Sequence, residues 1–513
     1  MTSTEYDQFQ YTSHPFDHSA PVHLAGIGRL YGLQPPALEN SRVLELGCAS
    51  GGNLIPHAIS HPGGYYVGVD LSAVQIAEGQ RLVDSLGLEN VKLLATSISD
   101  LEEDLGRFDY IIAHGLYSWI PIELQATVTA VIDRHLADNG LAYVSYNTYP
   151  GWYLINPVRD AMLYMTRDQS IESKAATSRA FLENWTRAME GNRSPYAQLI
   201  RDEHAMLQGK EDYYLVHEHL NGNNNPVYFS DFMATAGDNH LQYVADSEMR
   251  NSLIDDLQPA LRETIEQQQA PVDREQLIDF FTNRRFRKSI LCRSSQTVSE
   301  APDINAIEAL FFLGQIASHD PFSDQSMAES VAMQFKTYEG VSVTVNHPAL
   351  KLLLRLFILK PGVPLSLNEI RQELEPAGLD FNNPAVRDFM NQSLLTLVMR
   401  SFLRVTPCGP WFNQLNPEQP KASALVRHQA GLSNLVTNLR HQNVSLPDFE
   451  RVLIGYMDGT RSLADIVNEL KTRGFAELPA DHPARSFADR DIPELMTTAA
   501  NCLVQFRNNA LIH

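Results

Sequence analysis

The feature that most constrains the fold is a glycine-rich turn that joins a short apolar strand pattern to a helix pattern. The strand pattern at residues 42–46 leads into the segment Glu45-Leu-Gly-Cys-Ala-Ser-Gly-Gly52. Gly47 and Gly51 allow the backbone to pass close to a ligand without a side-chain clash. A turn of this kind predicts an α/β fold that binds a ligand at the carboxyl end of its first strand.

Strand and helix patterns alternate through the first 150 residues. Helix patterns separate the strands, and one runs from Ser72, a predicted N-cap, to Leu86, with Gly87 just past its end. This alternation predicts a mostly parallel, Rossmann-like sheet covered on both faces. The five strand patterns cover residues 42–46, 65–69, 91–95, 110–113 and 141–145.

Two features separate this glycine turn from a dinucleotide site. The spacing is G-x-x-x-G-G, and Glu45 lies two residues before Gly47, where a carboxylate repels pyrophosphate but suits an ammonium group. Asp70 ends the second strand, 19 residues beyond Gly51, where an acid accepts hydrogen bonds from ribose hydroxyls. These features predict a ligand with a ribose, an amino-acid tail and no phosphate, which matches S-adenosylmethionine. The alternative is a structural glycine turn in some other α/β domain.

The fourth and fifth strands deliver the candidate catalytic residues. Ligands in parallel sheets bind beyond the carboxyl ends of the strands, so His114, Tyr117 and Trp119 are expected near the methyl group. Aromatic rings there attract a sulfonium or an amine by cation–π interaction. His114 and Asn147 are candidates to hold the amine or accept its proton. The alternative for each aromatic residue is packing under a loop.

The N-terminal segment carries Tyr6, Tyr11 and Phe16, which an exposed terminus rarely leaves in solvent. Two interpretations fit: the segment closes over the cofactor as a lid, or it docks on the domain. The predicted catalytic set is Tyr6, His114, Tyr117, Trp119 and Asn147. The predicted cofactor contacts are Tyr11, Glu45, Gly47, Cys48, Ala49, Gly51, Asn53, Asp70, Leu71, Ser97, Ile98 and His114.

The sequence divides into a cofactor-binding domain and three further regions. Residues 1–150 form the predicted cofactor domain, and residues 226–248 are expected to return to its sheet. Residues 151–225 read as a helical insertion, and 249–340 as a helical middle domain. Residues 341–513 are predicted to be winged-helix-like, because 366–374 and 462–470 repeat a Ser-x-x-acid helix start.

Charge and cysteine use exclude several classes of protein. With 40 basic and 61 acidic residues the net charge is -21, and the predicted helix at 366–374 carries only Arg371, so nucleic-acid binding is not expected. The apolar run at 350–359 is interrupted by Lys351 and Arg355, so no membrane insertion is expected. Four scattered cysteines and no leader pattern predict a cytoplasmic protein. His217-Glu218-His219 places its histidines on different helix faces, so no metal site is expected.

Six segments of the chain resemble bacterial methyltransferases with a methyltransferase regulatory domain, a family that includes rickettsial protein-lysine methyltransferases. The resemblance implies a class I methyltransferase fold with a helical insertion used for homodimerisation. It also implies a protein-lysine substrate, in known cases on a large outer-membrane protein. A small-molecule methyltransferase and a non-catalytic cofactor-binding scaffold remain as alternatives. The segments that carry the resemblance are 6–16, 43–53, 114–121, 142–152, 215–220 and 226–232.

Overall fold

The computed structural model describes residues 13–101, 105–410 and 418–512, apart from the side chain of Glu172. Its central feature is a seven-stranded sheet with the order β3-β2-β1-β4-β5-β7-β6. These strands are β1 (Arg42–Leu46), β2 (Tyr65–Asp70), β3 (Val91–Ala95), β4 (Phe108–Ala113), β5 (Leu136–Asn147), β6 (Leu241–Asp246) and β7 (Phe286–Arg293).

The first five strands are parallel, as the alternating pattern predicts. Their carboxyl ends therefore share one edge of the sheet, and the turn after β1 lies at the centre of that edge. β6 joins the same sheet at its far side, within the stretch expected to return there. β7 runs antiparallel between β5 and β6.

Strand β7 is a difference from the sequence-based expectation, which had mainly helices over 249–340. Its sequence Phe286-Arg-Lys-Ser-Ile-Leu-Cys-Arg293 carries three cations, so its apolar content looks too low for a central strand. Arg287 is nevertheless fully buried, and its guanidinium pairs with both carboxylate oxygens of Asp279 at 2.7 and 2.8 Å. This ion pair permits a cation inside the sheet, and no local pattern reveals it.

Helices cover both faces of the sheet. Ser72 caps its helix by accepting a hydrogen bond from the backbone N–H of Gln75, and Gly87 ends that helix in the left-handed region, as predicted. The helices of this part of the chain are Pro21–Leu30, Ile55–Ser60, Ala73–Leu86, Ile122–His135, Phe229–Asp238, Pro259–Glu266 and Pro271–Thr282.

The sheet has a separate hydrophobic core on each face. Leu44 belongs to the core that includes Phe232, whereas Val43 points the other way, into a core that continues to Val405. The middle part of the chain therefore packs directly on the sheet domain and is not an independent body. The inserted helices have a small core of their own around Met162. These helices are Gly151–Thr166, Ile171–Ala188, Pro195–Gln208 and Asp212–His219.

The remaining chain forms small sheets among helices. Ser366 and Ser462 each start a helix with a reciprocal capping box, as the repeated sequence predicts. The strands are β8 (Phe311–Leu313), β9 (Ile316–Ser318), β10 (Met333–Thr337), β11 (Ser342–Val345), β12 (Leu365–Ser366), β13 (Arg404–Thr406), β14 (Leu435–Thr437) and β15 (Asn443–Ser445). The helices are Asp324–Met327, Pro348–Leu359, Leu367–Leu374, Pro384–Met399, Ala424–Leu432, Asp448–Gly455, Leu463–Glu469, Phe475–Glu477 and Ile492–Asn508. Over the described residues, no helix combines the length and the hydropathy that a bilayer crossing requires.

Candidate active site

The carboxyl edge of the parallel strands opens into a cavity of about 500 Å³. Most of the predicted cofactor contacts line it, together with two of the predicted catalytic residues, His114 and Trp119. The predicted contacts on its wall are Glu45, Gly47, Cys48, Ala49, Asn53, Asp70, Leu71, Ser97, Ile98 and His114. Tyr6 and Tyr11 lie outside the described residues.

The turn after β1 has a backbone shape that requires glycine. Gly47 has φ +76°, and a Cβ there would lie 3.2 Å from a Leu116 methyl group. Gly51 has φ +80° and supports the turn without lining the cavity. A side chain is disfavoured at both positions because this backbone region is strained for L-residues. The turn therefore brings bare backbone to the cavity wall.

Asp70 lies at the end of β2 on the cavity wall. Its two carboxylate oxygens accept hydrogen bonds from the backbone N–H groups of Ala49, at 2.8 Å, and Ser72, at 2.9 Å. These bonds join the turn after β1 to the turn after β2 and fix the orientation of the carboxylate. The structure thus presents a fixed carboxylate at the cavity, and its role as the acceptor for ribose hydroxyls stays a prediction.

Glu45 contributes a buried carboxyl group that is only half satisfied. Its Oε1 accepts a hydrogen bond of 2.7 Å from the side-chain amide of Asn53, and its Oε2 has no partner among the described residues. Burial raises the pKa of Glu45 to about 8. A buried, unpartnered carboxylate oxygen is costly unless a ligand pairs with it. The ammonium group of an amino-acid tail supplies the missing partner, so the residues present fit S-adenosylmethionine.

Asn53 connects this carboxyl group to the N-terminal segment and to the C-terminal part of the chain. Its Oδ1 accepts hydrogen bonds from the backbone N–H of Phe16, at 2.8 Å, and from His441 Nε2, at 2.6 Å. His441 lies between β14 and β15, and its ring stacks on His57 with centroids 3.8 Å apart. Sequence reasoning did not identify His441, because 388 residues separate it from Asn53.

The loop after β3 forms the side of the cavity where adenine is expected. Ser97 and Ile98 line the cavity there, and the Ser97 hydroxyl accepts a hydrogen bond from the backbone N–H of Ser99. Leu71 is 59% exposed and lines the same cavity. An exposed leucine beside a polar loop offers an apolar surface for a flat base.

His114 follows β4 and is buried against the N-terminal segment. Its ring lies 3.8 Å from that of Phe16, and its Nδ1 lies 3.0 Å from the Tyr143 hydroxyl and 3.2 Å from that of Ser145. Burial lowers the pKa of His114 to about 3. The imidazole is therefore neutral at ordinary pH, and it is a weak acceptor for a proton from an amine.

Two predicted catalytic residues lie away from the cavity wall, and their assignment needs correction. Tyr117 is buried in the core, where its ring contacts Tyr146 and Phe232 at centroid distances of 5.7 and 5.2 Å. Asn147 is also buried, and its amide donates a hydrogen bond to Asn224. The path of the chain beyond a strand decides which of several nearby side chains faces the ligand. Here the described turn presents Trp119 and Leu116 to the cavity.

The inserted helices complete the cavity with residues that sequence reasoning did not assign. His217 and Glu218, from the helix Asp212–His219, and Asn221, from the loop after it, line the same cavity. The sequence feature that pointed to this part of the insertion is the family resemblance of residues 215–220. Among the described residues, no group of three or more His, Cys, Asp or Glu side chains is arranged to hold a metal ion.

Three family models match separate stretches of the chain. The family described as "Methyltransferase domain" matches residues 44–142, and "Predicted methyltransferase regulatory domain" matches residues 211–293. The family described as "PKMT, C-terminal winged helix domain" matches residues 418–511. An uncharacterized protein of Rickettsia prowazekii (strain Madrid E) is 33% identical over 479 residues, which cover 91% of this chain and 85% of that protein. A second one from the same strain is 38% identical over 232 residues, covering 45% and 93%.

A solved structure resembles the whole chain. PKMT2 from Rickettsia typhi in complex with AdoHcy superposes with a TM-score of 0.87 and 28% sequence identity, covering 98% of this chain and 99% of that protein. AdoHcy, S-adenosylhomocysteine, is the product that S-adenosylmethionine leaves after methyl transfer. The chain therefore belongs to the bacterial class I methyltransferases that combine a methyltransferase regulatory domain with a PKMT-type winged-helix domain, and it is an S-adenosylmethionine-dependent enzyme.

Proposed function

We propose that this enzyme methylates lysine side chains of a protein substrate. The observation that carries the proposal is the similarity to PKMT2 along the full chain, including the C-terminal winged-helix part. An acidic protein with a net charge of -21 also attracts a basic macromolecular substrate. The resemblance further supports an outer-membrane protein as the substrate, and four free cysteines favour the cytoplasm as the place of reaction.

The described residues of the site form two groups, one that binds the cofactor and one that binds the substrate. When bound, S-adenosylmethionine supplies an activated methyl group on a sulfonium. In this proposal Glu45 pairs with its ammonium group and Asp70 binds its ribose. Trp119 and Leu124 supply an apolar wall that excludes water from the stem of a lysine side chain. Catalysis then depends mainly on holding the reacting groups in line.

The proposal is tested with radiolabelled S-adenosylmethionine and a lysate of the source cells. The wild-type enzyme is expected to label discrete protein bands, and acid hydrolysis of those bands is expected to release methylated lysine. Asp70→Ala removes the carboxylate from the cofactor site, so its cofactor affinity and its labelling are expected to fall by at least about tenfold. The matched control is Asp84→Asn, which changes an exposed aspartate on the neighbouring helix.

The other outcomes of this experiment contradict either the proposed function or the assigned cofactor site. Label found only in the small-molecule fraction contradicts lysine methylation and favours a small-molecule methyltransferase. Tight cofactor binding without transfer into any fraction favours a cofactor-binding scaffold. Labelling by Asp70→Ala at the wild-type rate contradicts the assignment of the cofactor site.

We also propose a homodimer formed through the insertion at 151–225. Its helices leave several large apolar side chains exposed, and a partner subunit would cover them. Light scattering after gel filtration is expected to give twice the chain mass of 57.5 kDa. A mass of one chain contradicts the dimer. The exposed side chains in this region are Tyr153, Leu154, Tyr164, Met165 and Tyr196.

A further inference from the structure

The cavity contains one carboxyl group that cofactor binding does not use. Glu218 lines the cavity together with His114 and Trp119. Its helix, Asp212–His219, is held in place from behind by His219, whose buried ring lies 3.1 Å from a carboxylate oxygen of Glu203. Among the described residues the Glu218 carboxylate makes no hydrogen bond or ion pair.

The charges around the cavity make it selective for cations. Its described lining contains the three acids Glu45, Asp70 and Glu218, and neither lysine nor arginine. A wall of one sign attracts ligands of the opposite sign, most strongly where the surrounding dielectric is low. Glu45 and Asp70 are already assigned to the tail and ribose of the cofactor. Glu218 therefore remains for a second positively charged group.

We propose that Glu218 binds the ammonium group of the substrate lysine and accepts its proton before methyl transfer. This inference rests on the proposed function, because the lysine ammonium is both the cation that Glu218 would bind and the source of the proton that it would accept. It assigns to Glu218 the role of substrate anchor and general base. The sequence analysis named His114 as a candidate to accept the proton. In this proposal His114 instead forms part of the cavity wall beside Phe16.

The proton transfer balances without any further reactant. The N–H bond of the lysine ammonium breaks, its electron pair remains on nitrogen, and a new O–H bond forms on the Glu218 carboxylate. The neutral amine then has the lone pair that methyl transfer needs. Glu218 returns its proton to solvent before the next turnover.

The cavity brings the pKa values of Glu218 and of the substrate lysine closer together. Burial raises the pKa of Glu218 to about 7. Burial also lowers the pKa of a lysine from its usual value near 10.4, so less free energy is needed to move the proton. Titratable groups near Glu218 come from every side of the cavity. They are Tyr214 and His217 on its own helix, and His14, Glu45, Cys48, Asp70 and His114 on the other walls.

The test compares Glu218→Gln with the wild-type enzyme as a function of pH. The probe is the initial rate of radiolabel transfer into lysate protein at limiting protein concentration and saturating cofactor, so that the pH dependence of cofactor binding through Glu45 does not enter the rate. The wild-type rate is expected to rise with pH through about 7, because the carboxylate form of Glu218 is the active one. Glu218→Gln is expected to be at least about 30-fold slower at pH 7, and its rate should keep rising with pH above 7 without levelling off, because it follows the deprotonation of the lysine itself. The difference is expected to shrink at high pH, where lysine arrives already neutral.

The matched control is Glu211→Gln, which neutralises an exposed acid at the start of the same helix and should keep the wild-type profile. A second probe, n-butylamine, mimics the end of a lysine side chain and is expected to inhibit the wild-type enzyme. Its half-inhibitory concentration should rise at least about tenfold in Glu218→Gln. Binding of S-adenosylhomocysteine, measured by calorimetry, should stay within about twofold of wild type, because the charged contacts of the cofactor are assigned to Glu45 and Asp70.

Contrary outcomes separate this inference from the proposed function. If the wild-type enzyme labels lysine but Glu218→Gln keeps its pH profile, Glu218 is not the base. If n-butylamine inhibits neither enzyme, or inhibits both equally, Glu218 does not bind the ammonium. If the wild-type enzyme labels no lysine in any protein, the proposed function fails and this inference fails with it.

Discussion

At the residue scale, the buried carboxyl group of Glu45 couples cofactor binding to pH. The ligand-free protein holds a proton on this group up to a pKa of about 8, because burial disfavours its charge. A bound ammonium group favours the carboxylate and lowers this pKa. Binding therefore releases a proton, and the affinity for the cofactor falls as the pH decreases below 8.

This coupling gives the first prediction. The affinity of the wild-type enzyme for S-adenosylhomocysteine is expected to rise roughly tenfold from pH 6 to pH 7, because the ionised fraction of Glu45 rises about tenfold per pH unit below its pKa. Glu45→Gln should bind more weakly and show little pH dependence over this range. Isothermal titration calorimetry measures both. An equal slope in Glu45→Gln contradicts the assignment, and Glu89→Gln, an exposed acid, provides the control.

Local features of the site were predictable, and contacts that depend on distant chain segments were not. Glu45, Asp70 and the glycine turn lie at strand ends, where their chemistry follows from position along the chain. Tyr117 and Trp119 are two residues apart, and the turn that contains them decides which ring faces the cavity. Glu218 reaches the cavity only because the insertion folds back over the sheet edge.

At the element scale, strand β7 depends on a buried cluster of charges. Arg287 pairs with Asp279 and with Glu275, at 3.0 Å, and its guanidinium lies 3.8 Å from the centroid of the Phe229 ring. Arg284 contacts the same two acids and Asp246. The strand therefore takes its place in the sheet only together with the helix Pro271–Thr282, which supplies Glu275 and Asp279. Strand prediction from the segment alone lacks this partner.

The cluster gives the second prediction. Arg287→Met leaves Asp279 buried without its main partner, so it is expected to lower the free energy of unfolding by about 3–5 kcal/mol. The melting temperature measured by calorimetry should fall by several degrees. Arg187→Met breaks the exposed pair with Glu183, at 2.8 Å, and should cost no more than about 1 kcal/mol. Equal losses in the two variants would show that burial does not strengthen this cluster.

At the scale of the whole molecule, the C-terminal part is physically attached to the cofactor loop. The hairpin of β14 and β15 presents His441 to Asn53, and its Gln442 donates a hydrogen bond of 3.0 Å to Gln315 in the middle part. Arg404, from β13, forms an ion pair of 2.6 Å with Asp17 in the N-terminal segment. Distant parts of the chain thus meet behind the wall of the cavity that contains Glu45.

This arrangement gives the third prediction. His441→Ala removes a hydrogen bond from Asn53 and a stacking partner from His57, so Asn53 is expected to hold Glu45 less firmly. The loss of one buried hydrogen bond predicts an affinity for S-adenosylhomocysteine about 3–10-fold weaker, measured by calorimetry. His428→Ala, in an exposed position of the same C-terminal part, should bind like wild type. Wild-type affinity in His441→Ala contradicts the link.

The contact between Asn53 and His441 also sets an order of events during protein synthesis. A ribosome makes Asn53 first and adds His441 only 388 residues later, which takes roughly 20–80 s at bacterial elongation rates. The sheet domain has time to fold on the ribosome, but its cofactor loop is not complete until nearly the whole chain has emerged. Prematurely terminated chains therefore lack a finished cofactor loop, and methylation begins with completed molecules.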